Sequence, residues 1–392
     1  MLGNHLLPHL KHTMKEMSHT SVNISNNAEY PLFARIDLCL ALLAASEIPG
    51  KWKDEALREV QHLSRSTDDV FIGLFVAYRE STRMRVKGDI SGSKTLLQKA
   101  MGFFADATQS PHPSRAVLGL LTVSEALNFV QEEQLDDAII RLSSWSPLDP
   151  DHPSLMERVV LVNAQTQLAK VLRYQGRFDR ALSLLEKLHE TTVEDDLFED
   201  IRTDIVTEFG NVLTEKNQPD KARIVLQAEI DTRTWRGNPH ASASNMLHLS
   251  LAETYLRQGQ IDTANGCYSR LSNLTPFASL WHSVALARVA HHNLDWPVAI
   301  DRWTDALKIL AKNFPRGDSH SGHTSLGILK SMHVALLISG RGEAGQVRHQ
   351  TLNQIRDIEA TCAQNGCKHW IPGLNSYWMD SISGSITRRS LL

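Results

Sequence analysis

Residues 168–188 read LAKVLRYQGRFDRALSLLEKL, and this stretch decides the fold. Leu168, Ala169 and Leu172 recur at the three- and four-residue spacing of one helical face. Gly176 permits a turn, after which Ala181, Leu185 and Leu188 form the inner face of a second helix. Ala169 and Ala181 are small where two antiparallel helices must cross closely. The larger residues around them fill the space between neighbouring pairs.

The same frame returns at residues 251–271, LAETYLRQGQIDTANGCYSRL, in Leu251, Ala252, Tyr255, Gly259, Ile261, Ala264, Tyr268 and Leu271. These residues resemble the tetratricopeptide-repeat (TPR) family. Pro276 follows twelve residues after Ala264, where the TPR pattern that this stretch resembles places its helix-ending proline. Weaker copies run through Ala126, Phe129, Leu135, Ala138 and Leu142, through Gly210, Leu213, Ala222 and Leu226, and through Leu286, Ala287, Ala290, Trp296, Ala299 and Trp303. Gly88, Ile90, Ser93, Leu97 and Ala100 keep part of the frame upstream, and Ala335, Gly340 and Ala344 keep part of it downstream.

The resemblance implies an all-α, TPR-like α-solenoid of about eight antiparallel helix pairs forming a superhelix. The small residues Ala138, Ala181, Ala222, Ala264 and Ala299 follow one another at intervals of 43, 41, 42 and 35. The family period is about 34, so the repeats here are lengthened and irregular. We expect a polar, partly disordered segment over 1–28, a repeat domain over 29–370 that is clearest over 115–312, and a C-terminal cap and frayed tail over 371–392. Residues 34–60 read as a helix pair broken at Ile48-Pro49-Gly50.

Composition bounds the function. The 392 residues are 42% hydrophobic and 22% charged, as for a chain folded throughout. Forty-one basic and 44 acidic side chains leave a net charge of −3, which offers no electrostatic footprint for nucleic acid. The longest apolar run, Leu38 to Ala45, is far short of the ~20 residues that a membrane span needs. Four cysteines, Cys39, Cys267, Cys362 and Cys367, are too few and too scattered for a disulfide framework, so a reducing, cytoplasmic or nuclear setting is expected.

Three motifs invite a chemical reading. Asp195-Asp196-Leu197-Phe198-Glu199-Asp200 resembles the aspartate-rich magnesium motif of class I terpene synthases. Its second metal motif is missing, and acids suit a helix start, so a structural role is expected. Cys362, Cys367 and His369 would supply three soft ligands to zinc but lack a fourth. His291-His292 and the loop from Asp318 to His323 gather histidines without a recognisable partner set. No cofactor or metal is expected.

The resemblance places function on the concave groove lined by the first helix of each pair. The exposed groove positions are expected to be Asn163, Thr166, Lys170, Arg173, Thr207, Asn211, Glu253, Arg257, Trp281, Arg288 and His291. Amides there can bond a peptide backbone, and cations can pair with carboxylates. The expected function is a scaffold or adaptor that holds a protein or peptide partner. The alternative is an enzyme on a helical solenoid, a cyclase or transferase with an apolar substrate, for which Trp281, Trp296, Trp303 and the acidic run would be the working parts.

Overall fold

A computed structural model describes residues 50–65, 69–103, 112–132, 134–193, 195–235, 242–313, 320–339, 344–362, 371–374 and 376–389, together with Leu32, Ile36, Cys39, Leu40 and Leu43. The described residues form helices without strands. In chain order these are α1 (Gly50–Ser64), α2 (Val70–Val86), α3 (Ile90–Phe103), α4 (His112–Gln131), α5 (Leu135–Ser143), α6 (Leu155–Tyr174), α7 (Phe178–Thr192), α8 (Glu199–Glu215) and α9 (Pro219–Trp235). They continue as α10 (Ser242–Arg257), α11 (Ile261–Tyr268), α12 (Pro276–His292), α13 (Trp296–Asn313), α14 (His320–Ser339), α15 (Ala344–Cys362) and α16 (Ser376–Arg389).

From α2 to α15 these make seven TPR-like helix pairs. Ile36, Cys39 and Leu43 are helical and share a core with Ala56, Leu57, Val60 and Leu63 of α1, in keeping with an eighth. The polar segment over 1–28 lies outside the described residues.

The turns inside five of the pairs share one geometry. The first helix ends with a residue in the left-handed region: Gly88, Gly176, Asn217, Gly259 or Leu294, with φ between 59° and 83°. The amide that follows donates back five residues, as in Arg177 N to Leu172 O and Gln260 N to Tyr255 O, both 2.9 Å. This closes the orphan carbonyls of the helix end. The sequence showed the glycines. Asn217 and Leu294 reach the same backbone state without that help.

Close crossing of the two helices accounts for the small residues. Ala126, Ala138, Ala169, Ala181, Ala222, Ala252, Ala264, Ala287 and Ala299 have no exposed surface. At Gly210 a Cβ would sit 2.7 Å from Leu226, so nothing larger fits between α8 and α9. Pro276 departs from expectation. Helix α11 has already stopped at Tyr268, and Pro276 instead opens α12 behind the N-cap Thr275. At this first position a missing N–H costs nothing.

The chain divides into two compact units, residues 1–124 with 147–157 and residues 125–146 with 158–392. In the first, Leu74, Ala77, Leu97, Ala100, Val117 and Leu121 form a core. Beside it the buried Arg85 donates to the Ser124 carbonyl at 3.1 Å and hydroxyl at 2.7 Å. Burial pulls its pKa down to about 10, against a smaller upward pull from Tyr78.

The second unit stacks pairs α6/α7 to α14/α15. Within it α8 lies along α10, and α10 along α12, so the first helices form one layer.

Candidate functional site

That layer of first helices carries the expected groove positions. Of the eleven, Thr166, Arg173, Thr207, Asn211, Glu253, Trp281, Arg288 and His291 are buried, and Asn163, Lys170 and Arg257 are partly exposed. The expectation of exposed groove positions is therefore corrected for eight of them. They are on the expected helices, but they are packed into the unit.

Part of the reason is that the layer turns back toward itself. Lys170 of α6 brings its ammonium 6.0 Å from the ring of Phe277 at the start of α12, three pairs along the chain. Residues from several repeats therefore meet in one interior, where their charges are matched. Arg173 donates to Glu208 at 2.7 Å. Arg288 grips Glu253 with two donors, at 2.5 and 3.1 Å. Both partners lie 35 residues away in sequence, on the adjacent first helix.

The electrostatics follow from this pairing. Burial alone would lower the Arg173 and Arg288 pKa values, but Glu208 and Glu253 outweigh it and hold both guanidiniums above their ordinary range. Burial would likewise raise Glu208, yet Arg173 and Lys170 keep its carboxyl below the usual value. Tyr174, then Glu208 and Asp204, raise Lys170 against the effect of burial. Glu215 adds attraction to both arginines. The cations Lys170, Arg173 and Arg288 thus face the anions Glu208, Glu215 and Glu253. Their charges are engaged within the chain.

A second buried network stiffens the next helices. Arg202 and Arg233 both donate to Glu229, at 3.2 and 3.0 Å, and Arg233 also reaches the Glu199 carbonyl. Asn211 accepts from Ser250 at 2.9 Å, which ties α8 to α10.

On this layer lies the C-terminal segment. Ile371, Pro372, Gly373 and Leu374 are buried, and Leu374 packs against Gly327 of α14. Helix α16 then sets Trp378 against side chains of α12, α13 and α14. Its indole N–H donates to Ser331 Oγ at 2.8 Å, and its ring stands 5.1 Å from the Arg288 guanidinium. It meets His291 edge-on at 5.2 Å and Trp303 at 6.2 Å. Tyr377, half-exposed, places its ring 3.6 Å from the Arg257 guanidinium. Residues 371–392 were expected to be a cap and a frayed end. Their described part includes a docked helix running to Arg389.

No family profile matches the chain, and no curated protein sequence matches it. Among solved structures, a Podosopora anserina protein of nearly identical TPR-like repeats, named after kinesin light chain, shares 20% identity over 52% of this chain and 96% of its own, with a TM-score of 0.37. Pseudomonas aeruginosa pilF shares 14% identity over 62% of this chain and 93% of its own, with a TM-score of 0.34. The repeat architecture stated above rests on the helix pairs themselves.

The remaining sequence motifs find structural settings. Asp195 accepts from Arg158 at 3.0 Å and from the Leu197 amide at 3.0 Å, so it starts the short 3-10 turn Asp196–Phe198 that leads into α8. Phe198 of that run is buried under the Arg158 guanidinium. Cys367 and His369 lie outside the described residues. Trp281 and Trp303 are fully packed in the core, and Trp296 stacks edge-on against His291 at 4.9 Å. The described helices include none long and apolar enough to cross a membrane.

His291 is the one groove candidate enclosed by aromatics, between Trp296 and Trp378. Neither of its ring nitrogens has a hydrogen-bond partner among the described residues. Burial, with a smaller push from His292, lowers its pKa to about 4. The sequence missed Gly373, Tyr377, Trp378 and Ser331. Pro372-Gly373 followed by Tyr377, Trp378 and Ile382 was the available signal, since Trp378 and Ile382 share a helical face.

Proposed function

We propose that the protein is an interaction scaffold whose layer of first helices holds a segment of a protein partner. One observation carries the reading. The face of α10, α12 and α14 already holds a short amphipathic helix, α16, through aromatic and cationic side chains. A stack of helices with a continuous layer of this kind serves recognition, because the binding surface is built up repeat by repeat.

The proposal moves the working surface away from Arg173 and Arg288 as ligands for a partner's carboxylate. Their charges are satisfied by Glu208 and Glu253. They shape the layer together with Lys170, while the partly exposed Asn163 and Arg257 and the exposed Asp204 meet the partner.

Site-specific photo-crosslinking in the native cell tests this. A photoreactive side chain at Asn163 or Asp204 is expected to trap one partner protein reproducibly. The same group at Arg180, Lys187 or Arg302, which are exposed on the second helices, is expected to trap it at least tenfold less. Equal trapping from both sets would sink the proposal.

A further inference from the structure

Helix α16 lies outside the repeat pairs and rests on them through a narrow face: it buries Trp378 and Ile382 and leaves Tyr377, Asp380, Ser381 and Ser383 outward. Fourteen residues make a helix that is marginal in water without a surface to rest on. Trp378 and Tyr377 hold it through side-chain contacts, which a similar helix could reproduce. This is the way an amphipathic helix lies in a groove, read through anchors three and four residues apart.

The receptor surface is built for this shape. Gly373, at φ 92°, lies so close to Arg288 and Glu253 that a Cβ would overlap the guanidinium. That glycine lets the chain reach the layer, where the guanidinium of Arg288 is fixed by Glu253. The fixed cation then offers its face to Trp378, an arrangement in which Arg and an indole attract each other. Ser331 Oγ donates to its own helix at Gly327 O, 2.7 Å, and so presents a lone pair to the indole N–H. A Trp body with its polar edge satisfied is a typical anchor of a binding interface.

We propose that residues 371–382 are an intramolecular ligand, and that the surface of α10, α12 and α14 is a receptor for a helical segment bearing a Pro-Gly turn and a Tyr-Trp pair. A partner segment of that chemistry competes with α16 for the same surface. This rests on the scaffold reading and names its ligand class. In the resting chain α16 covers the site, so partner affinity is reduced by the fraction of molecules in which it is docked.

The test uses the full chain and a fluorescent synthetic peptide spanning residues 371–389. Wild type should bind it weakly. Gly373→Val and Trp378→Ala, which loosen the resident segment, should each bind it at least tenfold more tightly, measured by anisotropy. A peptide carrying Trp378→Ala should lose at least tenfold of that affinity. On wild type, excess peptide should speed hydrogen exchange in α16.

Tight binding to wild type with no gain in the variants would overturn the proposal. So would no binding to either variant while circular dichroism shows native helicity. Unfolding of both variants would make α16 a core element, and dimers that exchange α16 would make a second copy the occupant; either result also overturns it. If the peptide fails while crosslinks from Asn163 and Asp204 persist, only this inference falls and the scaffold reading stands.

Discussion

The backbone of Gly373 lies directly against the guanidinium of Arg288, leaving no room for a Cβ between them. Arg288 is in turn held by Glu253, so the C-terminal segment rests on a buried ion pair that spans two repeats. The pair sets a flat, charged floor whose position does not depend on solvent. Removing one member should therefore leave an uncompensated buried charge. Glu253→Leu or Arg288→Met alone is expected to destabilise the second unit by ~3–5 kcal/mol, and the double variant by much less than the two together. Urea denaturation of the four proteins measures this, and simple additivity would contradict it.

Helix crossings supply a second prediction. Ala181 and Ala264 have no exposed surface at the points where each pair closes. Ala181→Leu and Ala264→Leu should each cost about 1–3 kcal/mol by forcing the helices apart. Near-native melting temperatures in both would mean that the repeat register is misplaced.

Leu294 is the opposite case. It is exposed and held at φ 60°, where its Cβ crowds the following carbonyl. Gly259 takes the same conformation in the preceding pair without that cost. Leu294→Gly should raise stability by about 0.5–1 kcal/mol, seen as a higher urea midpoint at unchanged slope. A lower midpoint would show that Leu294 is held by contacts worth more than the strain.

A pH dependence follows from His291. Its unfolded pKa is ~6.5, and in the fold burial brings it to about 4. The folded value is the lower one, so as pH falls the unfolded chain takes up the proton first. Stability is then full above pH ~6.5, falls by up to ~1.4 kcal/mol per pH unit between there and about pH 4, and falls no further below. His291→Phe removes this contribution and sacrifices no hydrogen bond, since neither ring nitrogen has a partner among the described residues. Its melting temperature should decline less than wild type between pH 6.5 and 4. Parallel curves would refute the assignment.

The repeat frame was legible in the sequence because its causes are local. Three- and four-residue spacing marks a buried helical face, and glycine marks most of the turns, as at Gly88, Gly176 and Gly259. Alanine marks the crossings, and all nine of those named above are fully buried. The repeat frame also places turns around Asn217 and Leu294; Asn217 adopts the left-handed region readily, whereas nothing in the residue type of Leu294 announces that backbone.

The state of the inner layer was decided only by tertiary structure. Lys170, Arg173 and Arg288 look like free cations along the chain, because a helix-period reading assigns a face and says nothing of what covers it. Their partners Glu208 and Glu253 sit one repeat away, where the stacking of whole helices brings them within bonding distance. Docking of α16 is less local still: Trp378 meets Ser331 across 47 residues. Along the chain, residues 371–392 read as a cap and a frayed tail, with no sign of where the cap rests. Its position on α14 depends on a cation oriented by Glu253 and a glycine that admits the backbone, and only the folded array brings those three together.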